Sequence, residues 1–106
     1  METIIYETNQ KVIKQYLTPV ELWGQLAEEC AELAQAALKM QRLSLNNQPA
    51  KTAEECRAAV VEEFADISLV YELIGFIDYK ERARIMKYKA NRWANRLIGQ
   101  EEGDNA

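Results

Sequence analysis

Two acidic clusters recur in this chain: EECAEL runs from Glu28 to Leu33, and EEFADI from Glu62 to Ile67. Carboxylates at this density repel, and either shared protons or a hard cation relieves the repulsion. The chain has no His and two Cys, Cys30 and Cys56, with no CxxC. Zinc and softer metals therefore lack their favoured ligands. Carboxylate oxygens suit Mg²⁺, with Mn²⁺ the alternative, and Mg²⁺ commonly shares its shell with the phosphates of a substrate.

Helical segments must position these clusters. Val12, Ile13, Tyr16 and Leu17 mark one side of a short helix over about residues 9–17, with Thr8 as its cap, while residues 1–8 are too few to classify. TPVE, Thr18 to Glu21, is a capping box with Pro at the first helical position, and its helix reaches about Leu43. A polar loop follows, Ser44 to Lys51. TAEE, Thr52 to Glu55, is a second capping box whose helix stops at Gly75. DYKE, Asp78 to Glu81, opens a last helix that ends near Gly99, before a polar tail. The reading is all-α, one domain over residues 1–106, a bundle of about four helices.

Helix spacing places the clusters on faces. On the second helix Leu22, Leu26, Cys30, Leu33, Ala37 and Met40 form an apolar stripe. Glu29 lies on its edge, Glu32 one step further round, and Glu28 points away. On the third helix the stripe is Cys56, Val60, Phe64, Ile67, Tyr71 and Ile74, and Glu63, Asp66 and Glu62 repeat the same three offsets. If the stripes pack together, Glu29 and Glu32 face Glu63 and Asp66. The alternative is that both clusters are solvated helix faces, since Glu favours helices anyway.

The third helix carries further apolar residues, Val61, Ala65, Leu69, Val70 and Leu73. A helix apolar over most of its circumference is buried on several sides. A chain of 106 residues can hardly do that alone, so a homo-oligomer, dimer or tetramer, is expected to complete the fold. On the last helix Tyr79, Ala83, Met86, Ala90, Trp93 and Leu97 read as core. Seven cations share that helix with one acid, Glu81. They either pair with the acidic helices or meet substrate phosphates.

The net charge of −4 argues against nucleic-acid binding, which needs a basic footprint. No apolar run approaches a membrane span. With no secretory leader and two thiols that read as buried and reduced, a cytoplasmic protein is expected.

The acidic residues resemble the hallmark of the MazG-like all-α nucleotide pyrophosphohydrolases, EExxE on one helix and ExxD on the next. Here these are Glu28-Glu29-Cys30-Ala31-Glu32 and Glu63-Phe64-Ala65-Asp66. Thr18-Pro19 and the KxxxNR-like stretch Lys87 to Arg92 are similar to elements of the dCTP pyrophosphatase branch, so the resemblance spans roughly residues 18–96. It implies hydrolysis of (d)NTP to (d)NMP and pyrophosphate with Mg²⁺. It also implies Glu29, Glu32, Glu63 and Asp66 as metal ligands and Lys87 and Asn91 as nucleotide contacts. Glu28 or Glu62 would serve as general base. The chain departs from the family in its long gap between Glu32 and Glu63. It departs again at Val70, where some members place a tyrosine near the base. Two other functions stay open: a phosphoribosyl-ATP pyrophosphohydrolase, which shares the carboxylates, and a non-catalytic helical interaction module.

Overall fold

The computed structural model describes residues 2–45 and 51–105, and the side chains of residues 5–45 and 51–100. Most of the expected polar loop, residues 46–50, lies outside them. The fold is all-α, with four helices and, among the described residues, no strand: α1 (Glu2–Tyr16), α2 (Pro19–Ser44), α3 (Ala53–Ile74) and α4 (Tyr79–Asn105). The first three belong to one compact unit, Met1–Phe76, and α4 to a second, Ile77–Ala106. Among the described residues no helix is long and apolar enough to cross a membrane.

Local chemistry fixes the helix ends. At α2 the Glu21 amide donates to Thr18 Oγ1 at 3.2 Å, and the Thr18 amide donates to Glu21 Oε1 at 3.1 Å. At α3 Thr52 and Glu55 exchange the same two bonds, both at 3.1 Å. Each cap satisfies amides that the helix leaves unbonded and contributes about 1 kcal/mol. The Thr52 amide also holds the Glu55 carboxyl below its ordinary pKa. Gly75 ends α3 at φ 90°, a left-handed conformation that a Cβ would penalise. At α4 the Glu81 amide donates to Asp78 Oδ1 at 2.9 Å.

Two boundaries differ from expectation. The first helix begins at Glu2, so Thr8 is a mid-helix residue and not a cap. Tertiary bonds account for this: Tyr6 Oη donates to Glu72 Oε2 at 2.5 Å, and Gln10 Nε2 donates to the same oxygen at 3.3 Å. A partner on α3 anchors a segment too short to classify by itself. The last helix runs past Gly99 to Asn105. Gly99 does not adopt positive φ; Gly75 alone does so among the described residues.

The helices α2 and α3 pack on each other, through faces rotated slightly from the expected stripes. The inward residues of α2 are Leu22, Leu26, Glu29, Leu33, Ala36 and Met40, all buried or half-buried. Those of α3 are Cys56, Val60, Glu63, Ile67, Val70 and Ile74, flanked by buried Leu73. Both sets repeat at alternating steps of four and three, the spacing that keeps one seam facing its partner. Cys30, Ala37, Phe64 and Tyr71, expected inside, are exposed. The apolar-stripe reading picks the more hydrophobic neighbour at each turn. The helix instead puts Glu29 inside where Cys30 is expected, and Glu63 where Phe64 is expected.

Three further expectations are corrected. Val70 and Leu73 are not surplus surface: they are 6 % and 4 % exposed, within the core. Cys30 is an exposed thiol, whereas Cys56 is buried at 1 % exposure; neither forms a disulfide. The α4 stripe, expected as core, is exposed. Tyr79, Met86, Trp93 and Leu97 are all more than half exposed, and every described α4 side chain is exposed. The ion pair on α4 joins Arg84 to Glu81 one turn away, and Arg82 and Arg92 lie over the rings of Tyr79 and Tyr88. Side chains that an amphipathic pattern marks as apolar need a partner surface to be buried, and the pattern cannot supply one.

Candidate metal centre

Halfway along the α2–α3 seam the apolar packing gives way to acid. Glu29 and Glu32 on α2 and Glu63 and Asp66 on α3 each bring a carboxylate oxygen to within 4.8 Å of the others. All four are half-buried. Each pair is three residues apart, so its side chains neighbour one another on one helix. Packing of the helices then brings the pairs together. The four residues named by spacing and resemblance are therefore the four that converge.

Their surroundings are unusually poor in donors. Gln25 Nε2 donates to Glu29 Oε1 at 2.7 Å, from one turn earlier on α2. The second oxygen, Glu29 Oε2, is buried with no hydrogen-bond partner, and so is Glu63 Oε2. A buried polar atom without a partner costs about 1–3 kcal/mol, and more if charged. Two such oxygens among four carboxylates are a configuration that a cation would relieve.

The donor set fits a hard divalent ion. All ligand atoms are oxygens, as Mg²⁺ and Mn²⁺ prefer. With Mg–O distances of about 2.0–2.1 Å, opposite ligands of one ion stand about 4.2 Å apart, close to the spread here. Pairs of ions about 3.5–4 Å apart are a second known arrangement for such clusters.

Electrostatics agree. The Glu32 carboxyl is raised from 4.5 to about 7, chiefly by a hydrogen bond with Glu63, then by the negative charges of Glu29 and Glu63. Without metal, a proton does part of the work of a cation. Its folded pKa lies above its unfolded value, so between about pH 4.5 and 7 the folded protein binds more protons than the unfolded chain. Stability of the metal-free protein should therefore fall as pH rises through that window, then level off. Denaturant midpoints in EDTA should be higher at pH 5.5 than at pH 7.5, and Glu32→Gln should shrink the difference. Equal wild-type midpoints would mean that Glu32 holds no extra proton. Metal binding must displace that proton, so Mn²⁺ affinity should rise over the same interval.

The other expected residues are placed differently. Glu62 lines a cavity of about 380 Å³ between α2 and α3, together with Glu32 and Glu63. Glu28 is exposed and does not line it. Of the two general-base candidates, Glu62 is the one that shares a cavity with two of the cluster's carboxylates. Lys87 and Asn91 are exposed residues one turn apart on α4. Gln25, Lys39 and Lys51 escape the sequence reading. Gln25 and Lys39 are both seven residues from Glu32 on α2, on the same flank of the seam, a signal visible only once the seam position is known. Lys51 lies between two helices and has no periodicity to reveal it.

No protein-family model matches this chain, and neither a curated protein nor a solved structure does.

Proposed function

We propose that this chain is a Mg²⁺-dependent nucleoside triphosphate pyrophosphohydrolase of MazG-like type. The observation that carries the reading is the pair of unpartnered buried oxygens, Glu29 Oε2 and Glu63 Oε2, on two members of a four-carboxylate cluster in a helical seam. A solvated acidic face would leave its oxygens in water. A structural seam would place apolar residues at those two positions. The motif resemblance then supplies the reaction class.

Glu29, Glu32, Glu63 and Asp66 would hold the ion. When bound, it neutralises the triphosphate and lowers the pKa of a water. In the reaction the oxygen of water joins one of the two phosphorus atoms of the α–β bridge. The bridging P–O bond breaks and its electron pair leaves on the other product, giving monophosphate and pyrophosphate. The water proton passes to a carboxylate, and we assign that role to Glu62, which lines the cavity beside Glu32 and Glu63. Gln25 acts through Glu29, fixing its orientation. Free thiols at Cys30 and Cys56 suit a reducing compartment, and we place the protein in the cytoplasm.

Assembly belongs to the same proposal. Val61 and Phe64, 70 % and 63 % exposed and three residues apart on α3, and the exposed stripe of α4 are apolar surface that a homo-oligomer would cover. The α4 stripe equally favours a non-catalytic interaction module. Incubating the protein with each NTP and dNTP, and with phosphoribosyl-ATP, and measuring pyrophosphate release decides between them. Release with Mg²⁺ and none in EDTA supports the enzyme; no release from any substrate leaves the module.

Lys87 and Asn91 are proposed as nucleotide contacts. Lys offers a point charge to phosphate, and Asn offers both a donor and an acceptor to a sugar or base edge. Lys87→Ala should lower kcat/KM by a similar factor for every nucleotide, and Asn91→Ala should reorder the nucleotides. Unchanged values in both variants would remove α4 from substrate binding.

A further inference from the structure

The cavity beside the carboxylate cluster is not uniformly acidic. Lys39 from α2 and Lys51, two residues before α3, line it together with Gln35 and the small apolar residues Ala36, Cys56 and Ala59. Lys39 is half-buried and has no ion pair or hydrogen bond among the described residues. Glu32, Glu62 and Glu63 line the same cavity, yet Lys39 pairs with none of them among the described residues, which leaves its ammonium available to a phosphate. The opposite end of the seam offers a contrast. There a second cavity of about 410 Å³ is walled mainly by Leu22, Leu73 and Ile74 and by the rings of Trp23 and Phe76, whose centroids lie 5.8 Å apart, with Lys14 as its one charged residue. Of the two cavities, the one that shares carboxylates with the cluster is the one that holds two lysines.

We propose that Lys39 and Lys51 bind the terminal phosphates of the substrate, and hence the pyrophosphate product, and that they do so only after the divalent ion has bound. The proposal rests on the metal reading of the four carboxylates. Charge sets the order. Glu32, Glu62 and Glu63 oppose the two lysines in the cavity wall, so the metal-free wall is net negative and repels a polyanion. One divalent ion held by Glu29, Glu32, Glu63 and Asp66 cancels two of the negative charges, so the repulsion falls and the two ammoniums can then act on phosphate. Lysine suits this task because its charge is compact and its stem lets the head follow the phosphate as it changes from substrate to product.

The probe is inorganic pyrophosphate, titrated calorimetrically into the full chain with Mg²⁺ in excess over both, and again in EDTA. Mn²⁺ affinity is measured separately by electron paramagnetic resonance. Wild type should bind pyrophosphate with Mg²⁺ and not without it. Lys39→Gln and Lys51→Gln should each weaken binding at least tenfold, and the double variant should show none. All three should keep wild-type Mn²⁺ affinity and helical circular dichroism. Equal pyrophosphate binding by wild type and the double variant would overturn the lysine assignment while leaving the metal site standing. Undiminished binding in EDTA would overturn the order. Absence of Mn²⁺ binding by wild type would instead bring down the metal reading, and this inference with it.

Discussion

Glu29→Gln and Asp66→Asn are each expected to abolish Mg²⁺-dependent pyrophosphate release, by 100-fold or more, while making the metal-free protein more stable. The two effects have opposite signs because the charge that would hold the ion also repels its neighbours. Glu29 is half-buried, with one oxygen bonded to Gln25 and the other unpartnered. An amide of the same shape keeps the oxygen that Gln25 donates to. It replaces the orphaned acceptor with an NH₂ that can donate to Glu32, Glu63 or Asp66. Removing one of several unpaired buried charges relieves repulsion, so the melting temperature in EDTA should rise by a few degrees. In metal the ranking should reverse. An ion at 100 times its Kd stabilises a folded protein by about 2.7 kcal/mol, which for a domain this small is a shift on the order of 10 °C. Wild type should gain that shift with Mn²⁺ and the variants should not. Wild-type activity together with a wild-type Mn²⁺ shift in both variants would rule out the carboxylate cluster as a metal site.

Leu73→Ala should destabilise the chain by about 2–5 kcal/mol, the usual cost of deleting a buried leucine side chain and leaving a cavity. That is a large part of the roughly 5–15 kcal/mol that holds a domain together. Leu73 is 4 % exposed, buried with Leu22 and Val70 in the unit formed by α1, α2 and α3. If its cover is the chain's own core, the loss will be the same at low and high protein concentration. Val61→Ala supplies the contrast: at 70 % exposure, a surface truncation should change the stability of the isolated chain by less than about 0.5 kcal/mol. Denaturation of both variants at two concentrations, read by circular dichroism, tests this. A Leu73→Ala loss that vanishes on dilution would place Leu73 in an interface between copies, and a wild-type midpoint would overturn its place in the core.

The helix count, their main boundaries and the identity of the four carboxylates were readable in the linear order of residues. The reasons are local. A capping box closes within four residues, a left-handed stop needs one glycine, and an i, i+3 pair of acids shares a face of any helix. The tertiary structure alone decided which residue of each adjacent pair turns inward. Glu29 lies inside while Cys30 is exposed, and Glu63 lies inside while Phe64 is exposed. Hydrophobicity ranks each pair the other way, because a sequence pattern scores transfer from water and carries no term for an ion that would balance a buried charge. The same limit hid Lys39 and Lys51. Their meaning depends on a cavity between two helices, and the distance across a packed interface is not encoded in spacing along either one. The start of α1 was equally out of reach, since Glu72, which accepts from Tyr6 and Gln10, lies more than sixty residues further along the chain.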